Sequence, residues 1–328
     1  MAPKQRPGEF ALIERYFRPL APDPGAFGLG DDAALYRQRP GDDLVLTADM
    51  LAAGVHFFAD DPPDSIARKA LRVNLSDLAA KGAEPFGYLL SLALPADWTE
   101  AWLKRFAVGL AVDQKQYGVT LLGGDTTRAA GGLTIAITAL GRVPKGQMVL
   151  RSGAKAGDAI FVTGTIGDGA LGLCVRNGTL SAKARGVEHF LDRYLHPEPR
   201  MALAPILSHF ASSAMDVSDG LIGDLAHICE ASGVGAEVSA PLVPLSPGAK
   251  AALAADPLIL STILNGGDDY EILATVAHSA ATSFASEARA AGVPVTRIGE
   301  VRAGAGAPVV LDAAGKPIRL AAASHTHF

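Results

Sequence analysis

Carboxylates recur in this chain where a loop leaves regular structure, with few cations nearby. The stretch "AMDVSDGLIGDL" at 214–225 carries Asp216, Asp219 and Asp224 and contains no Lys or Arg. Asp31 and Asp32 follow glycine in "GLGDDAAL", and Asp49 lies in "LTADML" two residues after Thr47. Asp77 sits in "RVNLSDLAAKG", Asp125 in "LLGGDTTR", and Asp268 and Asp269 in "LNGGDDYE". Any one such Asp is ordinary turn or helix-cap chemistry, and Ser218 or Asp219 could simply cap a helix. The whole set is harder to explain that way. If the acids converge, two bare charges 4 Å apart repel by roughly 4 kcal/mol at an intermediate dielectric. They then need protons or cations, and an all-oxygen donor set without His or Cys spacing suits Mg²⁺ rather than Zn²⁺ or copper. Several magnesium ions in one protein point to phosphate chemistry. The loops "GGDTTR", "VTGTIGDGALG" and "NGGDDYE" could offer backbone N–H groups to phosphate, and Arg128 and Arg151 stand beside such loops.

The elements that must position these residues alternate along the chain. Helical periodicity marks "GEFALIERYF", "DSIARKALRVNLSDLAAKG" and "WTEAWLKRFAVGLAVDQKQYG", while "DLVLTADML", "YLLSLALP", "GVTLLGGD" and "LTIAITALGRV" read as strands. On a strand, Thr47 and Asp49 project from one face. On a helix, Asp77 shares a face with Asn74 and Lys81. The polar run "PKGQMVLRSGAKAGD" separates this half from a second alternation, so two mixed α/β domains are expected, residues 1–150 and 151–328. A chain of 328 residues, 49% hydrophobic, is long enough for two cores.

Several functions are disfavoured. Net charge is −5 and the basic residues form no patch, so nucleic acid is not an expected partner. No P-loop, protein-kinase H-R-D or D-F-G set, or G-x-S-x-G elbow occurs, and "GAFGLGDD" does not open a dinucleotide-binding helix after a strand. Cys174 and Cys229 read as buried small hydrophobes. "MAPKQRPGEF" has no signal-type apolar stretch and no apolar run reaches ~18 residues, so no membrane partner and a cytoplasmic location are expected.

With these motifs in view, the chain resembles the thiamine-monophosphate kinase family, of the superfamily of aminoimidazole ribonucleotide synthetase. The resemblance rests on "GLGDDAA", "TADMLAAGVHF", "KALRVNLSDLAAKGAEP", "LLGGDTTR", "LRSGAKAGDAIFVTGTIGD", "DVSDGLIGDLAHI" and "GGDDYEIL", in order across both halves. It implies ATP-dependent phosphorylation of thiamine monophosphate to thiamine diphosphate by direct in-line transfer. The implied magnesium ligands are Asp31, Thr47, Asp49, Asp77, Asp125, Asp216 and Asp219, with Asp49, Asp77 and Asp125 closest to the chemistry. Tyr117, Gly124, Asp125, Arg151 and Ser218 would contact ATP, and His56, Asp268 and His325 the thiamine phosphate. The family often has Glu where this chain has Asp268, and an aromatic ring where it has His325. The implied fold is an aminoimidazole ribonucleotide synthetase-like α+β/α/β pair. In it, an N-terminal mixed domain forms a barrel with its copy in a homodimer, and a C-terminal α/β domain completes the active-site cleft. The alternatives are another ATP-dependent member of the superfamily, or a non-catalytic module binding Mg²⁺ and nucleotide.

Overall fold

The structure, a computed structural model, describes residues 8–320, so His325 and Phe328 lie outside the described residues. Two compact units emerge: residues up to Leu78 with Glu84–Gly146, and Ala79–Ala83 with residues from Gln147 onward.

The first unit begins with α1 (Glu9–Leu12), prolonged by a π-helical turn to Phe17. Its sheet contains β1 (Asp42–Ala52), β2 (Glu84–Leu94), β3 (Thr120–Arg128) and β4 (Thr134–Pro144) in the order β1-β4-β2-β3. β4 runs antiparallel to both neighbours, whereas β2 and β3 are parallel. The helices are α2 (Pro63–Ala80) and α3 (Glu100–Tyr117). Proline at the first position of α2 costs no helical hydrogen bond there. Thr99 caps α3 by accepting the Trp102 N–H at 3.1 Å, and Gly118 ends it in the left-handed region. Strict alternation along β4 buries Ile135, Ile137, Ala139 and Val143, leaving Ala136, Thr138 and Leu140 half-exposed. On β1 the same alternation exposes Leu44, Leu46 and Met50 and turns Val45, Thr47, Asp49 and Leu51 inward. A buried ion pair ties the helices together: Arg72 on α2 reaches both carboxylate oxygens of Asp113 on α3, at 2.7 and 2.8 Å.

The second unit holds a six-stranded sheet, order β10-β7-β9-β5-β8-β6, antiparallel except for the β10–β7 pair. Its strands are β5 (Ala159–Thr163), β6 (Ala211–Asp216), β7 (Gly235–Ser239), β8 (Ile272–Val276), β9 (Val295–Arg302) and β10 (Val309–Leu311). β5 and β8 are buried along their whole length, because apolar layers cover both faces of the sheet. On one side Ile160, Val162 and Leu273 pack with α4 (Asp168–Arg176), α5 (Val187–Leu195), α7 (Leu221–Ser232), α8 (Pro247–Ala255) and α9 (Ile259–Asn265). On the other, Phe161 and Ala274 pack with α6 (Ala204–Phe210) and α10 (Ala281–Ala290). Helices α5, α8 and α9 were not anticipated from sequence. They are short and lie between turn-rich stretches, where periodicity has little length in which to register. Cys229 is buried as expected, but Cys174, in the C-terminal half of α4, is only half-buried.

Candidate functional site

In the first unit, β1 and α2 bring Thr47, Asp49, Asn74 and Asp77 together. The Thr47 hydroxyl donates to Asp77 Oδ2, and the Asn74 amide oxygen accepts the Asp49 backbone N–H at 3.1 Å. Burial, and then the neighbouring charge of Asp77, pushes the Asp49 carboxyl up to about 6. Two acids this close, on a half-buried face, make a site that gains by taking up a cation. Lys81 does not extend this face. It lies past the end of α2, in the segment that belongs to the second unit, where its ammonium donates to the Ala214 carbonyl at 2.8 Å.

A cavity of about 560 Å³ opens in the same unit, lined by Asp31, Asp32, Gly124 and Asp125 and by the apolar Phe17, Leu90 and Leu122. Asp31 Oδ1 accepts the Asp32 N–H at 2.8 Å. Gly124 and Asp125 pair with Leu90 and Ser91 of β2 just beyond a register shift between Tyr88 and Leu89. Because β3 is an edge strand, it turns alternate backbone N–H groups away from the sheet. Tyr117 ends α3 with its ring 5.4 Å below the Arg72 guanidinium. His56 sits in the turn after β1, where its Nδ1 accepts the Ala52 N–H at 3.1 Å. Arg128 is exposed at the end of β3.

The second unit brings two motifs into contact. The turn after β6, with Asp216, Ser218 and Asp219, packs on the loop 266–271. Ser218 O accepts the Asp268 N–H at 2.9 Å, and Val217 O accepts the Tyr270 N–H at 2.8 Å. A Cβ on Gly267 would come within 2.1 Å of Ser218 O, so glycine is required for this approach. Asp268 and Tyr270 hold positive φ values of 69° and 50°, a strained conformation for residues with side chains that the surrounding hydrogen bonds enforce. Arg151 lies near enough for its charge to lower the titration of Asp224. Burial and the Asp219 charge outweigh it, and the Asp224 carboxyl is pushed up to about 7.

The three glycine loops part company here. "VTGTIGDGALG" is not a free phosphate cradle, because Gly164 N–H bonds Pro294 O, Ile166 N–H bonds Pro244 O, and Gly167 and Gly169 N–H both bond the Asp269 carboxylate. Asp269, adjacent to half-buried Asp268, is therefore an internal brace, with burial pushing its carboxyl well above the usual range. The residue pattern in the sequence grouped the two, and only the family resemblance singled out Asp268. Glu271 was missed altogether; it is fully buried and ion-paired to Arg193 and Arg200 at 2.9 and 2.6 Å. Nothing in "GDDYE" distinguishes it from a surface acid. Since Asp269 uses a separate oxygen for each glycine, at 2.7 and 3.0 Å, Asp269→Asn should turn one acceptor into a donor facing an N–H. We expect it to lose about 1–3 kcal/mol of stability, read as a lower midpoint in urea. An unchanged midpoint would show that the brace carries no energy.

No group of three or more His, Cys, Asp and Glu side chains is gathered as a ready metal cage among the described residues. The acids instead form an Asp49–Asp77 pair, a cavity rim with Asp31 and Asp125, and the 216–219 turn. Their chemistry nevertheless fits a hard divalent cation. All donors are oxygens, Asp49 is raised by burial and then by its neighbour's charge, and one buried oxygen, Asp224 Oδ1, has no hydrogen-bond partner. Among the described residues, no helix is long and apolar enough to cross a membrane.

Residues 30–143 match the family model for the AIR synthase related protein N-terminal domain, and 155–312 the model for its C-terminal domain. A thiamine-monophosphate kinase of Caulobacter vibrioides is 47% identical over 304 residues, covering 92% of this chain and 86% of that protein. The Escherichia coli enzyme of the same name is 41% identical, covering 98% of each. The solved thiamine-monophosphate kinase of Stenotrophomonas maltophilia superposes with a TM-score of 0.82 at 41% identity, covering 95% of this chain and 98% of that one. A structure of AaThiL complexed with AMPPCP and TMP reaches 0.77 at 30% identity, covering 93% and 97%. Hydrogenase maturation protein HypE in complex with ATP, 20% identical with a TM-score of 0.79, shares the fold. By two family models that together span most of its length, and by relatives alike from end to end, the chain belongs to the AIR synthase related family and, within it, to the thiamine-monophosphate kinases.

Proposed function

We infer that this protein transfers the γ-phosphoryl group of ATP to thiamine monophosphate, giving thiamine diphosphate and ADP. The observation that carries this reading is the 47% identity to a thiamine-monophosphate kinase over 92% of the chain. The complex of a relative with AMPPCP and TMP, an ATP analogue and the acceptor, supports both substrates. The acceptor phosphate is already deprotonated near neutral pH, so the reaction requires no general base. The chain's task is to hold two polyanions in line. We assign Asp31, Thr47, Asp49, Asp77, Asp125, Asp216 and Asp219 to holding Mg²⁺, which when bound would neutralise phosphate charge. Gly124 and the Asp125 backbone would receive nucleotide at the outward side of β3, with Arg151, Ser218 and Tyr117 as further nucleotide contacts. Thiamine phosphate would meet His56 and Asp268, and His325 is kept for that role from the resemblance alone. A cytoplasmic location follows the same reading.

A coupled ADP-release assay with ATP, Mg²⁺ and thiamine monophosphate, run beside free thiamine and an aminoimidazole-type substrate, tests this. ADP with thiamine diphosphate, from the monophosphate alone, is the expected result. Turnover of another substrate would move the chain to a neighbouring activity, and nucleotide binding without turnover would leave a binding module. Direct transfer further requires that no phosphate label remain on acid-denatured enzyme.

We also infer a homodimer built on the open face of the four-stranded sheet. Leu46 and Met50 are 59% and 63% exposed there, with Leu44 and Leu89 exposed on the same sheet. A contiguous apolar face on a sheet otherwise well packed is characteristic of an interface. Leu46→Asp combined with Met50→Asp should convert the dimer to monomer in light scattering. A wild-type monomer, or a double variant that still dimerises, would remove this face from the interface.

A further inference from the structure

The third acid of the 214–225 stretch stands apart from the other two. Asp224 lies in the first turn of α7, is 1% exposed, and points back toward the loop that precedes its own helix. Its Oδ2 accepts two successive backbone N–H groups, from Ser218 at 3.0 Å and from Asp219 at 3.1 Å. The turn it grips cannot relax elsewhere. Gly220, at φ 115°, is so close to the C-terminal end of α9 that a Cβ would lie 2.4 Å from Asn265 O. The other carboxylate oxygen, Oδ1, is buried without a hydrogen-bond partner.

Resting on the metal-dependent reading above, we propose that Asp224 is a positioning residue that holds the Ser218–Asp219 turn in the geometry needed to present Asp219 to a divalent cation. Backbone amides at two adjacent residues, fixed to one oxygen, set the direction in which both side chains leave the turn. Without that anchor the Asp219 carboxylate would have to be ordered at the moment of binding. Partners outside the metal's own ligand shell typically contribute 10- to 100-fold in affinity through this kind of ordering.

The two oxygens make the proposal testable by conservative substitution. In Asp224→Asn the amide oxygen can take both N–H bonds, while the amide nitrogen occupies the position where no hydrogen bond is lost. Asp224→Ala has no acceptor at all. Mn²⁺ binding, followed by loss of the free-ion electron paramagnetic resonance signal, reads the effect without turnover. The alanine variant should bind Mn²⁺ about 10- to 100-fold more weakly, and the asparagine variant should stay within about threefold of wild type. In an Asp219→Asn background, Asp224→Ala should add little, since the two act through one group.

Wild-type affinity in Asp224→Ala would overturn the proposal. So would an asparagine variant as weak as the alanine one, which would make Asp224 a ligand through its charge rather than a brace. If the alanine variant does not fold, the asparagine variant still separates a brace from a charged ligand, since binding more than about threefold weaker than wild type overturns the proposal. A wild-type protein that binds no Mn²⁺ would end the inference together with the metal assignment. One that shows the expected Mn²⁺ differences but phosphorylates no thiamine monophosphate would sink the kinase reading and leave this one standing.

Discussion

Asp77→Asn is expected to lower kcat for thiamine monophosphate by about 10²- to 10³-fold at saturating Mg²⁺, the scale seen when one preorganised electrostatic group is removed from a transition state. The substitution keeps the shape of the side chain and leaves an oxygen for the Thr47 hydroxyl, so folding should change little. What disappears is one of two adjacent charges. The variant also carries a pH signature. Asp49, raised to about 6 in the wild type, must lose its proton to bind metal, so each pH unit below that value costs about tenfold in metal affinity. Asp77 contributes to that rise, second to burial. Removing its charge lowers the Asp49 pKa, and the acid limb of Mg²⁺ activation should move to lower pH even as turnover falls. Profiles of kcat from about pH 5 to 8 at several Mg²⁺ concentrations would show both effects. Near-normal kcat at saturating Mg²⁺ would take Asp77 out of the chemical machinery.

The second large effect is steric. Gly124 has φ 151°, and a Cβ there would lie 1.8 Å from the Leu90 carbonyl oxygen of the neighbouring strand. Neither atom can give way without parting β2 from β3, so Gly124→Ala should cost at least about 3 kcal/mol, beyond ordinary overpacking. The adjacent Gly123 supplies the control. A Cβ there meets the tip of the Leu89 side chain at 3.4 Å, so Gly123→Ala should fold almost as well as wild type. Denaturation midpoints of the pair, with nucleotide affinity measured on whatever folds, would test this. Equal midpoints would mean that β3 does not approach β2 as described.

The long elements were legible because their periods run unbroken. β1 and β4 alternate over eleven residues each, and α2 and α3 run eighteen residues between recognisable ends. From the two-residue period of β1 came the common face of Thr47 and Asp49, and from the helical spacing the shared face of Asn74 and Asp77. Both faces meet in the structure as hydrogen bonds. Lys81 failed the same reasoning because α2 stops at Ala80, and the next residues join the second unit. Helices of seven to nine residues, such as α9 and α5, offer too few turns for a pattern to be separated from loop sequence.

By itself, then, the amino-acid sequence determined the two α/β halves, the family, and the residue types from which a magnesium-phosphate site could be made. These depend on local order along the chain: the period of apolar residues, the position of glycine, the motif around each acid. Tertiary structure decided how neighbouring acids divide their work. Asp268 remains half-buried beside the 216–219 turn while Asp269 clamps two amides of a loop about a hundred residues earlier in the chain, and Asp219 and Asp224 differ in the same way. A carboxylate's role is set by which donors and charges surround it after folding. Those neighbours are brought in from distant segments, so of two adjacent aspartates one can end as an internal brace while the other stays half-buried.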